Sequence, residues 1–227
     1  MTVEVIIGQC VNYRKDEHIG FDSFSQNLDR TRFALCDGAN SCLESGQTSQ
    51  WLSSKIVNGN ILTKENADDL VGSLHSGILK LYPNTASTLV YLQIESNRLI
   101  SVSVGDSYLS VYRQPFLKFV NWKQTLEMPR DLNADGNPFQ LIGSEVLDCV
   151  HYSQVEKTGV HVALMMSDGP ANAISDREIQ KMLRLIGRNK PTQADLTYIS
   201  KRLVQLAWRG GCKDDASVVT IWINIKK

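Results

Sequence analysis

Three aspartates stand at the ends of strand-like runs, each beside a glycine or another small or polar residue. Asp37 follows the apolar run "FALC", Asp168 follows "VALMMS", and Asp214 lies just before "DASVVTIW". A strand end projects a carboxylate from a rigid element, and a following glycine lets the backbone turn sharply and leaves its carbonyl accessible. Such a set of residues is typical of a ligand site.

These carboxylates favour a hard divalent cation as the ligand. If they converge to about 5 Å, each pair repels by roughly 3 kcal/mol at an effective dielectric constant near 20, so a cation must offset the repulsion. No histidine or cysteine accompanies them, and an all-oxygen ligand set favours Mg²⁺ or Mn²⁺ over zinc or copper. A single Asp-Gly is otherwise a common turn, and we interpret Asp135-Gly136 in that way.

Composition excludes several classes of protein. Lysine plus arginine (24) balance aspartate plus glutamate (24), so no overall field attracts nucleic acid or an anionic membrane surface. The opening "MTVEVIIG" lacks the features of a signal peptide, and no stretch approaches the roughly 18 apolar residues of a membrane span. Five cysteines without a CxxC pair predict reduced thiols. We expect a cytoplasmic protein with no nucleic-acid partner and no membrane association.

The order of elements favours an α+β fold. Consecutive strand-like runs occupy residues 85 to 113, as in an antiparallel meander, and further runs are "TVEVIIG", "TRFALCD", "VHVALMMSD" and "ASVVTIWINI". Helical periodicity covers four segments, two before the meander and two near the end of the chain. One of these begins with a capping box, Ser175 to Glu178, and the last starts near Pro191. Strands in meanders with helices in pairs predict antiparallel sheets covered by helical hairpins.

The length of 227 residues predicts one domain over residues 1–227. Its weakest segment is about 124–145, which is polar and rich in turn residues. We expect this segment to be irregular and to form a flap over a site.

In the order of five motifs, the chain resembles the metal-dependent protein phosphatases, or protein phosphatase 2C-like family, and its bacterial members in particular. "FALCDGAN" resembles the family's strand with its Asp-Gly motif, and "TASTLVYLQI" and "ISVSVGDSYLSVYR" resemble its next two strand motifs. "VALMMSDGPANAISDREI" resembles its Ser-Asp-Gly motif, and "GCKDDASVVTIW" its terminal strand. The motifs cover nearly the whole chain, with only the flap-like segment weakly matched.

The resemblance implies a four-layer α-β-β-α sandwich of two antiparallel sheets flanked by helical hairpins, with two Mn²⁺ or Mg²⁺ ions at one end. It implies that Asp37 bridges both ions, that the Gly38 carbonyl binds one, and that Asp168 and Asp214 complete the shell of the other. Two further aspartates are implied to hold waters on the ions and to help bind a third, weaker ion; they are Asp22 and Asp106, respectively.

The implied activity is hydrolysis of phosphoserine or phosphothreonine in a phosphorylated protein, the substrate of a cognate kinase, by a metal-activated water. For the family's phosphate-binding arginine our candidate is Arg14. Three positions depart from the family pattern: Asn40 replaces a glycine, Ala39 stands where some members carry a histidine, and Phe21 replaces an acidic residue or glutamine. These departures keep open an alternative, a weak or inactive pseudophosphatase that binds a phosphoprotein partner as a regulator.

Overall fold

The computed structural model describes residues 2–13, 20–39, 43–115, 121–156, 158–187 and 189–226. The strands in these ranges are β1 (Thr2–Tyr13), β2 (Asp22–Gln26), β3 (Arg32–Ala39), β4 (Ala86–Ser87), β5 (Leu89–Ile94), β6 (Arg98–Val104), β7 (Tyr108–Arg113), β8 (Lys123–Glu127), β9 (His151–Glu156), β10 (Gly159–Met166) and β11 (Ala216–Lys226). The helices are α1 (Leu43–Ile56), α2 (Lys64–Leu81), α3 (Asp168–Ala173), α4 (Asp176–Ile186) and α5 (Gln193–Arg209).

The strands form two sheets in which each recorded pairing is antiparallel. The first sheet has the order β1-β11-β10-β7-β8. The second has the order β2-β3-β5-β6-β9, and the short strand β4 pairs with β3. The last strand of the chain therefore lies between β1 and β10, in the interior of the first sheet.

Strand β3 shows how the layers are built, because both of its faces are apolar. Phe33 and Leu35 point into the core between the two sheets, where they meet apolar residues of the first sheet such as Val219. Ala34 and Cys36 point to the opposite face and pack with α1 and α2. The alternation follows from the period of two along a strand.

A third core covers the outer face of the first sheet. Leu183 of α4 and Leu196 and Leu203 of α5 are fully buried there against strand residues such as Val162 and Val218. The four layers, helices, sheet, sheet and helices, confirm the predicted α+β sandwich. None of the helices described here is both long enough and apolar enough to cross a membrane.

The helix boundaries follow local signals in the sequence. The capping box of Ser175 and Glu178 opens α4 as expected. The last long helix begins at Gln193, near Pro191 as predicted, and the side chains of Thr192 and Asp195 form a second capping box there. Strand β8 occupies the start of the segment predicted to be irregular, and the rest of that segment contains only isolated bridges such as Leu132 with Pro138.

Candidate metal centre

At one edge of the sandwich, the core between the sheets becomes polar, because the strands end there in acidic residues and serines. In β3 the row Phe33, Leu35 continues to Asp37, so the alternation that buries the two apolar side chains also directs this carboxylate between the sheets. Asp22 of β2 is the register partner of Asp37. Neighbours directly opposite in an antiparallel pair project from the same face, so both carboxylates lie on the side that faces the first sheet.

The facing sheet contributes Asp168 and Asp214. Asp168 follows β10 and opens the short helix α3, while Asp214 lies two residues before the start of β11. The two strand ends are joined because Ser167 N donates to Ser217 O at 3.1 Å and Ser217 N donates to Ser167 Oγ at 3.0 Å. Residues that are 46 positions apart in the chain are thereby fixed at one edge of the sandwich.

These elements enclose an open cleft of about 360 Å³. Five aspartates line it, together with the backbone of the first Asp-Gly motif and part of the loop after β8; the aspartates are Asp37, Asp106, Asp168, Asp214 and Asp215. Of the acidic residues expected at the site, only Asp22 does not line this cleft. It lies behind Asp37 and is 4% exposed.

Both glycines that follow the key aspartates stand where the backbone is crowded. A Cβ on Gly38 would lie 2.7 Å from the carbonyl carbon of Ser45 in α1. A Cβ on Gly169 would lie 2.8 Å from the Asp215 carbonyl oxygen and 2.8 Å from Cys212 Sγ. Glycine therefore allows α1 and the loop before β11 to approach the acidic strand ends closely.

A chain of hydroxyl groups fixes the backbone of Asp37. Its amide donates to Thr88 Oγ1 at 3.0 Å, and its carbonyl accepts from Ser87 Oγ at 2.9 Å and from the Thr88 amide at 2.9 Å. Thr88 Oγ1 lies 2.7 Å from Ser107 Oγ. The serine and threonine of two sequence motifs thus link the first aspartate to the loop that carries Asp106.

Burial and mutual repulsion disfavour ionisation of the cluster. Burial raises the pKa of Asp37 well above its usual range, and the charges of Asp22 and Asp168 raise it further. Burial, followed by the charge of Asp168, raises the pKa of Asp106 to about 6. Burial, followed by the charge of Asp214, raises the pKa of Asp168. The charges of these groups act on one another because the carboxylates share one cleft.

Two carboxylates retain unsatisfied oxygens. Both oxygens of Asp22 and Oδ1 of Asp168 are buried without a partner in hydrogen-bonding geometry. Burial raises the pKa of Asp22 to about 6, although the hydroxyls of Ser217 and Ser167 lie near enough to offset part of this effect. Buried anionic oxygens without donors fit a hard cation, for which they are the preferred ligands. As the side chains stand, no group of three histidine, cysteine or acidic residues within the described ranges has a metal-binding arrangement.

Sequence reasoning missed Arg130. Its Nε donates to the Asp106 carbonyl at 2.5 Å and its Nη2 donates to Asn172 Oδ1 at 2.8 Å. Its charge lowers the pKa values of Asp106 and Asp168, which places the guanidinium beside the cluster. The sequence carries no signal for this, because Arg130 follows a strand in a segment without periodicity. The arginine that the resemblance favoured, Arg14, lies outside the described residues, as does Asn40.

Three neighbours complete the walls of the cleft. Phe21 and Ala39 line it with apolar side chains, at two positions where the resemblance expects polar groups. Asp215, which sequence reasoning did not select, accepts a hydrogen bond from the Phe21 amide at 2.8 Å through Oδ2. One carboxylate of the Asp214-Asp215 pair therefore anchors the segment that leads into β2.

Solved structures match this architecture over the whole chain, whereas no protein-family profile and no curated protein sequence matches it. The catalytic domain of the serine/threonine phosphatase PstP, crystallised in complex with two manganese ions, has a TM-score of 0.77 and 20% identity, over 98% of this chain and 100% of that one. The Mycobacterium tuberculosis phosphatase PstP/Ppp gives 0.71 and 20%, over 100% of both chains. Stp1 from Staphylococcus aureus gives 0.68 and 17%, over 100% of this chain and 96% of that one. The chain therefore has the fold of bacterial serine/threonine phosphatases of the protein phosphatase 2C type.

Proposed function

We propose that the chain is a single-domain, metal-dependent phosphatase that hydrolyses phosphoserine and phosphothreonine in a phosphorylated protein. The observation that carries the proposal is the convergence of Asp37, Asp168 and Asp214 on one cleft from three distant parts of the chain. Their grouping costs free energy in the absence of a cation, as the raised pKa values of Asp37 and Asp168 indicate. The similarity of the whole fold to bacterial phosphatases supports the same conclusion.

The proposed metal ligands are the carboxylates of Asp37, Asp168 and Asp214 and the carbonyl of Gly38. Asp22 stands behind them and would hold waters on the ions, while Asp106 would help to bind a third, weaker ion. Two Mn²⁺ or Mg²⁺ ions would supply acidity to a water molecule and polarise the phosphoryl oxygens. The residues of the chain would position the ions, and the ligands that they offer are oxygen atoms, because no histidine or cysteine of the described residues lines the cleft.

Arg130 is the proposed phosphate-binding group. A guanidinium presents a planar fork of donors that matches phosphate oxygens, and it remains charged at any physiological pH. Its bonds to the Asp106 carbonyl and to Asn172 fix the plane of the fork beside the cleft. A phosphate group that enters the acidic cleft thereby meets a permanent positive charge in addition to the ions.

Hydrolysis of p-nitrophenyl phosphate and of a phosphothreonine peptide, with and without added Mn²⁺, tests the proposal. We expect metal-dependent activity in the wild type and its loss in Asp37→Asn and Asp168→Asn. Asp69→Asn is the matched control, because Asp69 is an exposed aspartate of α2, remote from the cleft. Activity that is independent of metal, or unchanged in both cleft variants, rules out the proposed function.

A second candidate function is that of an inactive pseudophosphatase that regulates a phosphoprotein partner by binding it. It is favoured because Phe21 and Ala39 line the cleft with apolar side chains. Calorimetric titration of the chain with Mn²⁺ separates the two functions. A phosphatase binds two ions, and Asp37→Asn abolishes their binding. A chain that binds no Mn²⁺ but still captures a phosphopeptide is a regulator that uses the same fold.

A further inference from the structure

A second group of reactive side chains lies outside the lining of the acidic cleft. Cys149 Sγ is 3.8 Å from His151 Nδ1, and His151 Nε2 is 2.5 Å from Asp131 Oδ1. Cys149 is exposed and is not engaged in a disulfide, whereas the side chains of His151 and Asp131 are 24% and 11% exposed. A thiol, an imidazole and a carboxylate therefore lie in line, with the thiol at the surface and the carboxylate innermost.

The order of contacts determines the role of each nitrogen. A carboxylate can only accept a hydrogen bond, so Nε2 of His151 is the protonated nitrogen toward Asp131, and the tautomer with a bare Nδ1 directs its lone pair at Cys149. A nucleophile next to a base whose orientation is set by a third group is the arrangement that activates a thiol. His151 can thus receive the proton of the thiol when the sulfur attacks.

The three side chains are held at these distances by a shared support. Asp131 Oδ2 accepts from the Gly105 amide at 3.1 Å and from Gln140 Nε2 at 3.1 Å. Gln140 is 4% exposed; its Oε1 accepts from the Cys149 amide at 2.9 Å, and its Nε2 also donates to the Cys149 carbonyl at 2.7 Å. The buried side-chain amide of Gln140 therefore holds both Asp131 and Cys149. The distances among the three reactive side chains thus do not depend on surface contacts alone.

We propose that Cys149 is a modification site, a thiol that reacts with hydrogen peroxide and other small electrophiles with His151 as its base and Asp131 as the positioning residue. With peroxide, the thiol proton passes to His151 Nδ1 and the sulfur attacks one oxygen. The S–O bond forms as the O–O bond breaks. The departing hydroxide takes the proton from His151 and leaves as water. Sulfur is oxidised by two electrons to a sulfenic acid, and the peroxide is reduced to water.

The other cysteines in the described ranges lack this environment. Cys10 is only partly exposed, and no imidazole is recorded within hydrogen-bonding distance of Cys10, Cys36 or Cys212 among the described residues. Cys36 and Cys212 are also buried. Among the four cysteines that the structure describes, modification at low doses of reagent is therefore expected to favour Cys149.

Mass spectrometry of the full chain tests the proposal through rates of alkylation by iodoacetamide and of sulfenic acid formation by peroxide, trapped with a dimedone reagent. General-base assistance contributes about 10²- to 10⁴-fold in optimised sites, and the 3.8 Å contact is long, so we expect Cys149 to react about tenfold faster than glutathione. In the His151→Gln variant, we expect Cys149 to react at the rate of glutathione. In the Asp131→Asn variant, we expect a rate between those of the wild type and the His151→Gln variant.

Thermal melting checks that the variants remain folded. If the Asp131→Asn variant unfolds, the His151→Gln variant alone tests the proposal, because its glutamine side chain retains a hydrogen-bond donor for Asp131. A wild-type rate equal to that of glutathione, or an unchanged rate in a folded His151→Gln variant, overturns the proposal. Neither measurement depends on phosphatase activity, so the outcome is independent of the proposed function.

Discussion

Asp22 and Asp37 lie directly opposite each other on neighbouring antiparallel strands, and both point into the space between the two sheets. Like charges in directly opposed positions destabilise a strand pair, and burial adds to the cost because Asp22 is 4% exposed. Burial is the largest cause of the raised pKa values of both groups, and the charge of Asp22 raises the pKa of Asp37 further. This end of the sandwich is thus less stable than its core until a proton or a cation neutralises the pair.

A divalent cation is expected to stabilise the fold through this cluster. At a free Mn²⁺ concentration of about 100 times the dissociation constant, one site contributes about 2.7 kcal/mol, which raises the melting temperature by roughly 5–11 °C for a chain of this size. Differential scanning fluorimetry with Mn²⁺ and with chelator measures the shift. Asp37→Asn is expected to lose the shift and Asp69→Asn to keep it. An equal shift in the two variants places the ion elsewhere.

The metal-free protein is expected to lose stability between about pH 4 and pH 6 through Asp106. Its folded-state pKa of about 6 lies above the ordinary value of 3.8, so the folded state binds more protons than the unfolded state in this window. Stability therefore falls as the pH rises through the window, and the deprotonated group costs about 3 kcal/mol above it. Urea unfolding at pH 4.5 and at pH 7.5, with chelator present, measures the difference.

The variant Asp106→Asn isolates this contribution from the rest of the titrating groups. It removes the ionisable group, so it is expected to be more stable than the wild type by up to about 3 kcal/mol at pH 7.5 and by only about 1 kcal/mol at pH 4.5. Asp69→Asn is expected to match the wild type at both values. If the difference in unfolding free energy between the wild type and Asp106→Asn does not change with pH, the pKa of Asp106 is not raised in the folded state.

Thr88→Val is expected to weaken the site without removing a metal ligand. Valine has the shape of threonine but leaves the Asp37 amide, which donates to Thr88 Oγ1, without its acceptor. A buried donor left unsatisfied costs about 1–3 kcal/mol, and the carboxylate loses its fixed position. We expect lower stability together with a lower kcat.

Thr220→Val is the control for this variant. Thr220 is fully buried, and its hydroxyl pairs with Ser200 Oγ at 2.9 Å on the helix-covered side of the first sheet. It is expected to lose stability as Thr88→Val does and to keep its kcat once folded. Equal kcat losses in the two variants show that only general stability is involved.

Arg130 is expected to act on the phosphate group of the substrate. Charge-assisted hydrogen bonds contribute about 1.5–3 kcal/mol, so Arg130→Met is expected to lower kcat/KM for a phosphopeptide by roughly 10- to 100-fold. Arg130→Lys keeps the charge but not the planar fork, and its loss is expected to be smaller. Steady-state kinetics measures both, with Arg177→Met, an exposed arginine of α4, as the control. Unchanged kinetics in Arg130→Met assigns phosphate binding to another residue.

The sequence predicted correctly the features that depend on residues close together in the chain. The period of two through Phe33 and Leu35 determines which way Asp37 points, and the capping box at Ser175 marks the start of α4. These two signals need no knowledge of the tertiary structure. Glycine after an acidic strand end predicts a sharp turn, but Gly38 lies within β3, and glycine is needed there because α1 approaches closely.

The features that the sequence did not predict depend on contacts between distant segments. Arg130 reaches the Asp106 carbonyl across 24 positions, and His151 reaches Asp131 across 20. Strands β2 and β9 lie at the two edges of the second sheet, and their polar composition hides their period. The helix α3 begins on Asp168 itself and is too short to show periodicity.

Gly38→Ala tests whether the close approach of α1 to the first acidic strand end is required. The added Cβ falls within van der Waals contact of the Ser45 carbonyl group, and the atoms it meets belong to the backbone, which cannot rotate away. Overpacking of this kind typically costs about 1–3 kcal/mol, and displacement of the Gly38 carbonyl is expected to weaken Mn²⁺ binding as well. Urea unfolding and calorimetric titration measure the two effects.

Gly72→Ala is the matched control, because Gly72 lies within α2 and no atom stands within 4 Å of an added Cβ. Alanine is favoured over glycine inside a helix, so this variant is expected to gain about 1 kcal/mol and to bind Mn²⁺ unchanged. The two substitutions add the same methyl group and are expected to change stability in opposite directions. If Gly38→Ala is as stable as the wild type and binds Mn²⁺ equally well, the crowding at the strand end is not what requires glycine after Asp37.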